Sequence, residues 1–479
     1  MINSRLPARL AVLSVFASAG AFAFAAMPSG ATPVVTPVST PPVAIDFSFA
    51  GFGAGGVGLP LGAPSLLVSP SGADDTALLQ AAIDQVGALP AGADGTRGVL
   101  LLAPGLFRVN GQLRMRSEGV VLRGSGRQAT TLLASGQSRR TLIMAGGDQA
   151  PGAGAAVEVT DQLVPAGGRV LHLASTQGLR VGARVIVRRP STKAWIDSLG
   201  MSSLPGTFAE LRYHWPAGSR DLVWDRTVSA IDAASGAVTL DAPVTTALEQ
   251  RFGGATVALL AAHAPLRRIG IENLVIDSDF ARAGDEEHAW GGIALDNVED
   301  AWVRDVTGRH LVSTLVKVGP RGRRVSIERV RSEQPVSELG GYRRVSFQIE
   351  GQQVLVRDCS ADAGLNDFAS GLLAAGPNVF LDSQASHAQG ASGAYESWAS
   401  GVLYENVRIE GAPLRLRYDT TRVQAAGWTA ANSVIWNSRA SELSAQGPDG
   451  APNLLVRSAS PLYLRQLAQR LGAAAAQLP

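Results

Sequence analysis

One short unit recurs along the second half of the chain and constrains its fold more than any other feature. Two or three apolar residues are followed by a polar residue, often Asp or Asn, at positions 354–358, 379–382, 402–406 and 434–437. The first apolar residues of these units are 25, 23 and 32 residues apart. A regular recurrence of short β-branched runs is typical of a solenoid, because one unit is too short to bury an apolar face alone.

Three upstream units, at 269–273, 302–305 and 325–328, extend the repeat. Asn or Asp suits the turn after each unit, because its side chain tolerates left-handed backbone angles and bonds locally. The pattern predicts an all-β chain that folds as a right-handed parallel β-helix, a single-stranded solenoid with one strand-turn-strand coil per repeat. Because a solenoid lengthens without dividing its core, residues 46–460 are predicted to form one unit within the 479-residue chain.

Composition narrows the functional classes. The chain is 46% hydrophobic and 17% charged and contains 54 Gly, which fits a turn-rich β protein. Its formal net charge of +2 gives no electrostatic footprint for nucleic acid. Cys359 is the only cysteine, which excludes an intrachain disulfide and a Cys-based metal cluster.

The first 45 residues predict export. Arg5 and Arg9 precede an apolar run, and Ala23-Phe24-Ala25 forms a small-x-small cleavage pattern, so residues 1–25 are interpreted as a signal peptide. The apolar run is short for a membrane span, so we expect a periplasmic or secreted protein without stable membrane insertion. Residues 26–45 are rich in Pro, Thr and Ser and are predicted to be a flexible linker.

Both ends of the predicted solenoid carry a candidate cap. Residues 74–83 follow the pattern of an amphipathic helix with acidic residues at its start. Its predicted apolar face consists of Leu78, Leu79, Ala82, Ile83 and Val86. A helix at this position would plug the open end of a solenoid, which otherwise exposes strand edges. Residues 461–479 are predicted to be a C-terminal helix or tail.

Residues 155–260 depart from the coil pattern and predict a β-rich excursion that folds over one face of the solenoid. This segment contains Trp195, Trp215 and Arg220 among other large side chains. Clustered Trp and Arg side chains can stack on sugar rings and bind acidic groups. The alternative is that these aromatic residues form the small core that the excursion itself needs.

The N-terminal motifs resemble a known superfamily. Asp74-Asp75-Thr76 in the helix, Pro104-Gly105 in a turn and the strand at 120–126 are similar to the N-terminal cap of the pectate lyase-like β-helix superfamily. The resemblance implies the fold. It leaves the activity open, because related caps occur on lyases, hydrolases, epimerases and phage tailspikes.

A closer resemblance covers about 160–440. The segments at 187–192, 217–221, 342–347, 376–382 and 427–432 are similar to a group of secreted bacterial β-helix proteins whose presumed substrates are carbohydrates. The resemblance implies His-Asp-Phe and His-His-Arg-Trp motifs where this chain has Asn366-Asp367-Phe368 and Tyr395-Glu396-Ser397-Trp398. Asp367, Phe368 and Trp398 match, and the histidines are absent. If those histidines carry the chemistry of the group, this protein uses other residues or lacks activity.

A polysaccharide lyase is the first functional interpretation. β-Elimination from a uronide needs a cation on the sugar carboxylate, a base for the adjacent proton and an acid for the leaving oxygen. Arg343 and Arg344 are candidate clamps, because guanidinium binds carboxylate bidentately. Neighbouring strand residues point to opposite faces, so one of the two, taken as Arg344, would face the substrate. His288, His310 and His387 are candidate bases near neutral pH, and His310 is taken as catalytic.

No cofactor is required by this interpretation, although calcium has a candidate site. Asp277, Asp279 and Asp285 lie close together in the sequence, and calcium prefers several oxygen ligands. The simpler alternative is that these acidic loops are solvated.

A glycoside hydrolase and a non-catalytic binder are the two alternatives. A hydrolase needs two carboxyl groups, and Asp367 and Glu396 are candidates because neighbouring coils stack at about 5 Å. Asp367 could instead satisfy backbone N–H groups in a turn, and Glu396 could simply be solvated. The missing histidines favour a carbohydrate-binding or cell-surface protein without activity.

The sequence thus predicts a secreted enzyme that cleaves an extended, acidic polysaccharide, with β-elimination placed before hydrolysis. The polysaccharide is the predicted partner, nucleic acid is excluded, and the oligomeric state is left open. The predicted substrate-binding residues are Arg343, Arg220, Trp195, Trp215, Trp398 and Trp428.

Overall fold

A computed structural model describes residues 43–146, 152–205, 212–260, 265–420 and 426–477. The predicted signal peptide and all but the last three residues of the predicted linker lie outside these ranges. None of the described helices combines the length and apolar character that a membrane crossing needs.

The repeat units stack in register, as the sequence predicts. Leu355 pairs with Val379, Val379 with Leu403, and Leu403 with Val434, each in a parallel ladder. Each coil contributes one strand to each of three faces, which surround a single apolar core. The predicted parallel β-helix is confirmed.

Face 1 is the first strand of each coil. Its strands, in order along the rod, are Pro64–Val68, Gly98–Leu102, Val120–Gly124, the first halves of Gly270–Ser278 and Val298–Arg309, Arg323–Glu328, Gln352–Arg357, Ala375–Leu381, Ala399–Glu405, Val434–Trp436 and Leu454–Val456.

Face 2 follows face 1 after a sharp turn. Its strands are Gly105–Val109, Thr130–Ala134, the second halves of Gly270–Ser278 and Val298–Arg309, Arg331–Glu333, Ser360–Asp362, Gln384–Ser386 and Arg408–Ile409.

Face 3 completes each coil. Its strands are Leu113–Met115, Thr141–Ala145, Gly291–Leu295, Thr314–Val318, Phe347–Ile349, Phe368–Gly371, Ser392–Tyr395, Leu414–Leu416 and Leu443–Ala445.

A ladder of left-handed residues makes the turn between faces 1 and 2. These residues have φ between 48° and 59°, the region that Asn and Asp enter more readily than other side chains do. Its members are Asn273, Asp305, Arg329, Asp358, Asp382, Asn406 and Asn437. Side chains also bond along the ladder, as between Arg329 and Asp305. The polar residue that ends each repeat unit is therefore the turn residue that the sequence predicts.

Aromatic side chains stack inside the coils. Phe347 and Phe368 are parallel with ring centroids 5.6 Å apart, and Phe380 and Tyr404 are parallel at 4.8 Å. Offset-stacked aromatic pairs stabilise a core by about 0.5–1.5 kcal/mol beyond the area they bury. This column helps to fix the register of the coils that carry the candidate site.

Helix α1 (Thr76–Gly87) caps the N-terminal end of the rod. The Asp75 carboxylate accepts hydrogen bonds from the backbone N–H groups of Ser71 and Arg108, which ties the start of the helix to the first coil. Four of the five predicted apolar residues are buried against the core. Leu78 is the exception, with 40% of its surface exposed, because it lies on the side of the helix that faces away from the coils.

The excursion leaves the rod after face 3 of the second coil and forms an antiparallel sheet. Its six strands, in spatial order, are Val170–His172, Ala237–Leu240, Leu222–Asp232, Arg184–Arg189, Thr256–Leu260 and Ala153–Glu158. Two short pairs, Leu163–Val164 with Leu248–Glu249 and Leu204–Pro205 with Arg212–Tyr213, and helix α2 (Lys193–Ser198) complete it. Face 1 resumes at Gly270, which pairs with Val121 across the excursion.

The excursion packs on the start of the face 1 strands. The guanidinium group of Arg226, which is fully buried, donates to the Gln352 side chain at 2.7 Å and to the Gly376 carbonyl at 2.8 Å. Thr245 and Ser400 bond through their hydroxyl groups at 2.7 Å. These polar contacts anchor the excursion to successive coils.

The two chain ends cover more of face 1. Helix α3 (Leu462–Leu471) begins where the Glu405 carboxylate accepts the N–H groups of Leu462 and Tyr463, at 2.6 and 2.8 Å. A carboxylate is favourable at this position because the helix N-terminus carries partial positive charge. Ile45 is buried in the same cluster, so the folded part begins within the range predicted to be a linker. Faces 2 and 3 therefore present the open surfaces of the rod.

Candidate functional site

Face 3 carries an outward ladder that mixes charged and very small side chains. In register along the rod, the ladder consists of Arg114, Met144, Ala294, Lys317, Gln348, Ala369, Gly393 and Arg415. The small members leave space above the sheet, and the longer side chains border it.

A cleft of about 350 Å³ lies on this face. Its lining consists of Thr141, Trp290, Gly291, Ile293, Ala294, Ser313, Thr314, Lys317, Tyr342, Gln348, Glu350 and Leu372. We call it the face 3 cleft. Aromatic, polar and charged groups converge in it, which is the composition of a ligand site rather than of a packing defect.

Glu350 is the central polar group of the face 3 cleft. Only 7% of its surface is exposed, and its Oε1 accepts hydrogen bonds from Gln348 Nε2 at 2.6 Å and from Tyr395 Oη at 3.2 Å. Lys317 Nζ lies 3.0 Å from the same oxygen. Within the described residues Oε2 accepts no hydrogen bond, which leaves it for a ligand. A buried carboxylate persists only when a counter-charge and hydrogen bonds compensate its desolvation, and these three groups supply both.

Glycine in the intervening coil allows this arrangement. Tyr395 ends its strand two coils beyond Glu350, and its ring crosses Gly371 of the coil between them. A Cβ at Gly371 would lie 2.8 Å from a ring carbon of Tyr395, closer than any side chain tolerates. Burial raises the pKa of Tyr395 well above its usual range, so its phenol stays protonated and donates to Glu350.

Two aromatic residues border the face 3 cleft. The half-buried indole of Trp290 lies beneath the guanidinium groups of Arg139 and Arg343, at 5.5 and 5.7 Å from the ring centroid. The ring of Tyr342 packs edge-on against that of Tyr395 at 6.4 Å. A planar side chain held in this way offers a rigid apolar surface beside polar groups, which is suited to stacking against a sugar ring.

Glu396 lies at the same edge of face 3 as Glu350. It follows the strand Ser392–Tyr395 in a left-handed conformation, and its carboxylate accepts the hydroxyl of Tyr342. Arg220 of the excursion attracts it electrostatically, while burial lowers the pKa of that guanidinium. Because Glu350 and Glu396 are two coils apart, their backbones are separated by roughly 10 Å along the rod.

The predicted pair of Asp367 and Glu396 does not form. Asp367 precedes the strand Phe368–Gly371, whereas Glu396 follows the strand of the next coil. The length of a four-residue strand, roughly 13 Å, therefore separates them instead of the expected 5 Å. Asp367 is fully buried, and its Oδ1 accepts the hydroxyl of Ser346 at 2.6 Å. Burial raises the pKa of Asp367 to about 7.

The predicted arginine clamps are engaged elsewhere. Arg344 adopts a left-handed conformation, and its guanidinium donates to the Ser337 hydroxyl at 3.1 Å and to the Ser337 carbonyl at 2.6 Å within its own loop. Arg343 forms a two-point ion pair with Glu286, with Nη2 and Oε2 2.8 Å apart. Arg343 borders the face 3 cleft through Trp290, but neither side chain is free to bind a carboxylate.

The candidate histidines lie where face 2 turns towards face 3. His310 Nδ1 is 2.7 Å from Asp277 Oδ1, and His387 Nδ1 is 2.7 Å from Asp362 Oδ1 one coil pair further along the same edge. His288 is buried and bonds Ser278 at 2.9 Å. The face 3 cleft does not include them, so Arg344, Asp367, His310 and Glu396 do not form one centre. The catalytic role of each residue singly stays a prediction.

The predicted tryptophan platform is wrong for three of its four members. Trp195, Trp215 and Trp398 are 3%, 2% and 1% exposed, and the rings of Trp195 and Trp398 are 4.8 Å apart. Trp398 also donates its indole N–H to Thr246 of the excursion. These rings form the joint between the excursion and the rod, as the alternative interpretation proposed. Trp428 is half-buried and donates to the Leu199 carbonyl.

The carboxylates of the candidate calcium site have protein partners. Asp277 bonds His310, and Asp285 accepts the backbone N–H groups of Ala281 and Glu287. Throughout the ranges that the structure describes, no group of three or more His, Cys, Asp or Glu residues could hold a metal ion.

Sequence reasoning missed the residues at the centre of the cleft. Lys317, Gln348 and Glu350 alternate with buried residues in ordinary strands, so they resemble solvated outward positions. Aligning the coils by their left-handed turns would have placed Lys317 beside Gln348 one coil later, as the register shows.

Comparisons with known proteins give likeness in fold alone. No family model matches the sequence, and no curated protein matches it. The tailspike protein gp49 from Pseudomonas phage LKA1 is 16% identical, with a TM-score of 0.48 over 80% of this chain, which spans 56% of that protein's length. PfbA, a surface adhesin of Streptococcus pneumoniae, is 12% identical, with a TM-score of 0.42 over 83% of this chain and 73% of the adhesin.

A polygalacturonase from Erwinia carotovora ssp. carotovora is 10% identical, with a TM-score of 0.42 over 84% of this chain and 95% of the enzyme. The strand registers, rather than these alignments, establish the parallel β-helix. The resemblance to a particular group of secreted β-helix proteins stays a prediction.

Proposed function

We propose that this protein binds an anionic polysaccharide along face 3 and hydrolyses it in the face 3 cleft. The observation that carries the proposal is the buried Glu350 carboxylate, held by Lys317, Gln348 and Tyr395 on an open face. A stable rod does not need a charged group there, because an apolar residue of similar size stabilises a buried position at least as well. Desolvated charges in clefts mark functional sites.

The charge along face 3 supports an anionic substrate. A second hollow of about 200 Å³ on the same face is lined by Arg114, Arg116 and Arg321, with Asp296 as the carboxylate that pairs with Arg321. Lys317 continues this cationic line into the cleft. Clustered positive charge raises the local concentration of an anionic polymer and orients it along the rod.

The two glutamates could share the work of hydrolysis. An inverting hydrolase uses one carboxyl group to protonate the leaving oxygen and a second, about 6.5–9.5 Å away, to deprotonate the attacking water. Glu350, paired with Lys317, suits the carboxylate that takes the proton from water. Glu396 suits the proton donor, with the Tyr342 hydroxyl orienting its carboxyl group.

β-Elimination is the second candidate, and a specific observation favours it. Lys317 could neutralise a uronate carboxylate, and the protonated phenol of Tyr395 could protonate the leaving oxygen. Both groups lie beside Glu350, which would then remove the proton adjacent to the sugar carboxylate. Export directed by residues 1–25 would bring either activity to extracellular polymers.

The test is product analysis with a panel of acidic and neutral polysaccharides. Hydrolysis gives new reducing ends without absorbance near 235 nm, whereas elimination gives both. We expect Glu350→Gln and Glu396→Gln each to slow cleavage by at least about a hundredfold, the effect of losing general acid–base catalysis. The matched control is Glu333→Gln on face 2, which should leave the rate unchanged. Wild-type rates in both cleft variants would refute the proposal.

A further inference from the structure

Face 2 has its own outward ladder of polar side chains, on the other side of a corner from the face 3 cleft. In register along the rod, it consists of Thr307, Arg331, Ser360, Gln384, Arg408 and Arg439. Successive members are separated by the spacing of adjacent strands, about 4.8 Å. The ladder therefore forms a straight polar row parallel to the rod, and its last two members are both cations.

Arg408 and Arg439 are exposed and lie directly opposite one another in neighbouring coils. Considering the described residues only, neither guanidinium group makes an ion pair or a hydrogen bond. Like charges in directly opposite positions destabilise a sheet. Elsewhere on the rod, arginines at comparable positions are compensated, as Arg329 is by Asp305 and Arg415 is by Glu442. The uncompensated pair lacks a structural explanation within the protein.

These two arginines line a cleft of about 430 Å³. Gln384, Ser386 and Glu410 contribute hydrogen-bonding groups to its lining. Glu410 is the carboxylate of this lining, and it also attracts the nearby His387, whose pKa its hydrogen bond to Asp362 raises. The cleft thus offers two cations, an amide, a hydroxyl and one carboxylate on an open surface.

We propose that this cleft on face 2 is a second, non-catalytic binding site for an anionic polysaccharide, with Arg408 and Arg439 binding its acidic groups. Guanidinium groups bind carboxylates in a planar two-point geometry, and Gln384 and Ser386 can bond sugar hydroxyls. The polymer class rests on the function proposed for face 3. A chain that binds at both faces would dissociate more slowly than from either alone, because the second contact is intramolecular.

The lining argues for a polysaccharide rather than a nucleic acid. Proteins that bind single-stranded nucleic acid combine cations with aromatic rings on which bases stack. The lining residues of this cleft include no aromatic side chain within the described chain, and they include the carboxylate of Glu410, which would repel a phosphate backbone.

The test measures binding of polygalacturonate and of alginate by affinity electrophoresis, in a Glu350→Gln background where cleavage is silenced. We expect the double variant Arg408→Gln/Arg439→Gln to bind about tenfold more weakly at low salt and to lose part of its salt dependence. Arg408→Lys/Arg439→Lys retains the charge and should stay within about twofold of the parent. The charge-matched control is Arg180→Gln/Arg251→Gln on the excursion, which should not change affinity.

Unchanged binding by the Arg408→Gln/Arg439→Gln variant, or an equal loss in the control, would overturn the second site. Tighter binding of single-stranded DNA than of either polysaccharide, lost in the same variant, would overturn the ligand class. The two proposals fail separately: wild-type cleavage by Glu350→Gln refutes the catalytic role of face 3, whereas binding by the arginine variants tests face 2. Absence of any polysaccharide binding by the parent would refute both.

Discussion

Faces 1 and 3 are built by the same coils around the same core, yet their outer charges have different environments. On face 1, Glu299 and Arg323 are covered by the excursion and find their partners inside the protein. On face 3, Lys317 and Glu350 form an ion pair in an open cleft. Cover, rather than residue type, therefore distinguishes structural charges from charges that a substrate can reach.

The face 1 network shows how complete this compensation is. Arg323 lies within 3.3 Å of carboxylate oxygens of Asp225, Asp241 and Glu299. Burial alone would raise the pKa of Glu299, but the guanidinium groups of Arg323 and Arg324 lower it to about 2. Charges so fully paired hold the excursion on the rod and have no capacity left for a ligand.

The largest expected effect comes from breaking this network. Arg323→Met keeps the side-chain length but leaves three carboxylates without their shared cation, and we expect the free energy of unfolding to fall by about 3–5 kcal/mol. Urea denaturation followed by tryptophan fluorescence measures it, since the excursion contains several tryptophans. Arg331→Met, in the same coil but exposed on face 2, should change stability by less than about 0.5 kcal/mol. Equal effects would show that cover does not distinguish the faces.

A second prediction concerns a buried carboxyl group that lacks a cation. The pKa of Asp367 is raised from 3.8 to about 7, so the folded state holds its proton more tightly than the unfolded state. Stability should therefore fall as pH rises from about 4 to about 7, with the full penalty present above pH 7. At 1.36 kcal/mol per pKa unit, that penalty is at most about 4 kcal/mol.

Asp367→Asn removes this titration and keeps an acceptor for the Ser346 hydroxyl. We expect the variant to be about 2–4 kcal/mol more stable than the parent at pH 9 and equally stable near pH 4. The measurement is the difference in unfolding free energy between the two proteins across that range, in which titrations of other groups cancel. A difference that does not depend on pH would contradict the raised pKa. Cleavage should persist, because Asp367 lies at the opposite edge of face 3 from Glu396.

The smallest effect sharpens the comparison at its aromatic residues. Trp290→Ala removes a border of the face 3 cleft, and we expect polysaccharide affinity to fall about tenfold, or about 1.4 kcal/mol. Thermal stability should change little, because Trp290 lies outside the core. Trp398→Phe is the control: it removes the indole bond to Thr246 and should lower the melting temperature without changing affinity. The reverse pattern would return the sugar platform to the excursion.

The repeat made much of the fold predictable. A unit such as 354–358 contains the inward residues that must be buried, and its final Asp358 takes the left-handed angles that turn the chain onto face 2. Both properties are local, so they are visible without the partner coils. The terminal helix was predictable for the same reason, except for Leu78, whose direction depends on how the helix sits against the first coil.

The candidate site was less predictable, because it depends on stacking between coils. Asp367 and Glu396 are similar distances from their strands in the sequence, yet one precedes face 3 and the other follows it. Trp398 occupies a loop that resembles a binding loop, and only the position of the excursion shows that it is buried. Lys317 and Glu350 are separated by 33 residues and meet because their strands lie in adjacent coils.

The sequence by itself determined the coil, because hydrophobic period and turn preference act over a few neighbouring residues. Tertiary structure decided which face is covered and which is open. It also decided that Glu350 meets Lys317 and Tyr395, while Arg344 bonds its own loop. The reason is physical: a residue's type sets what it can bond, but only the strands and domains packed around it set whether water, protein or a ligand supplies the partner.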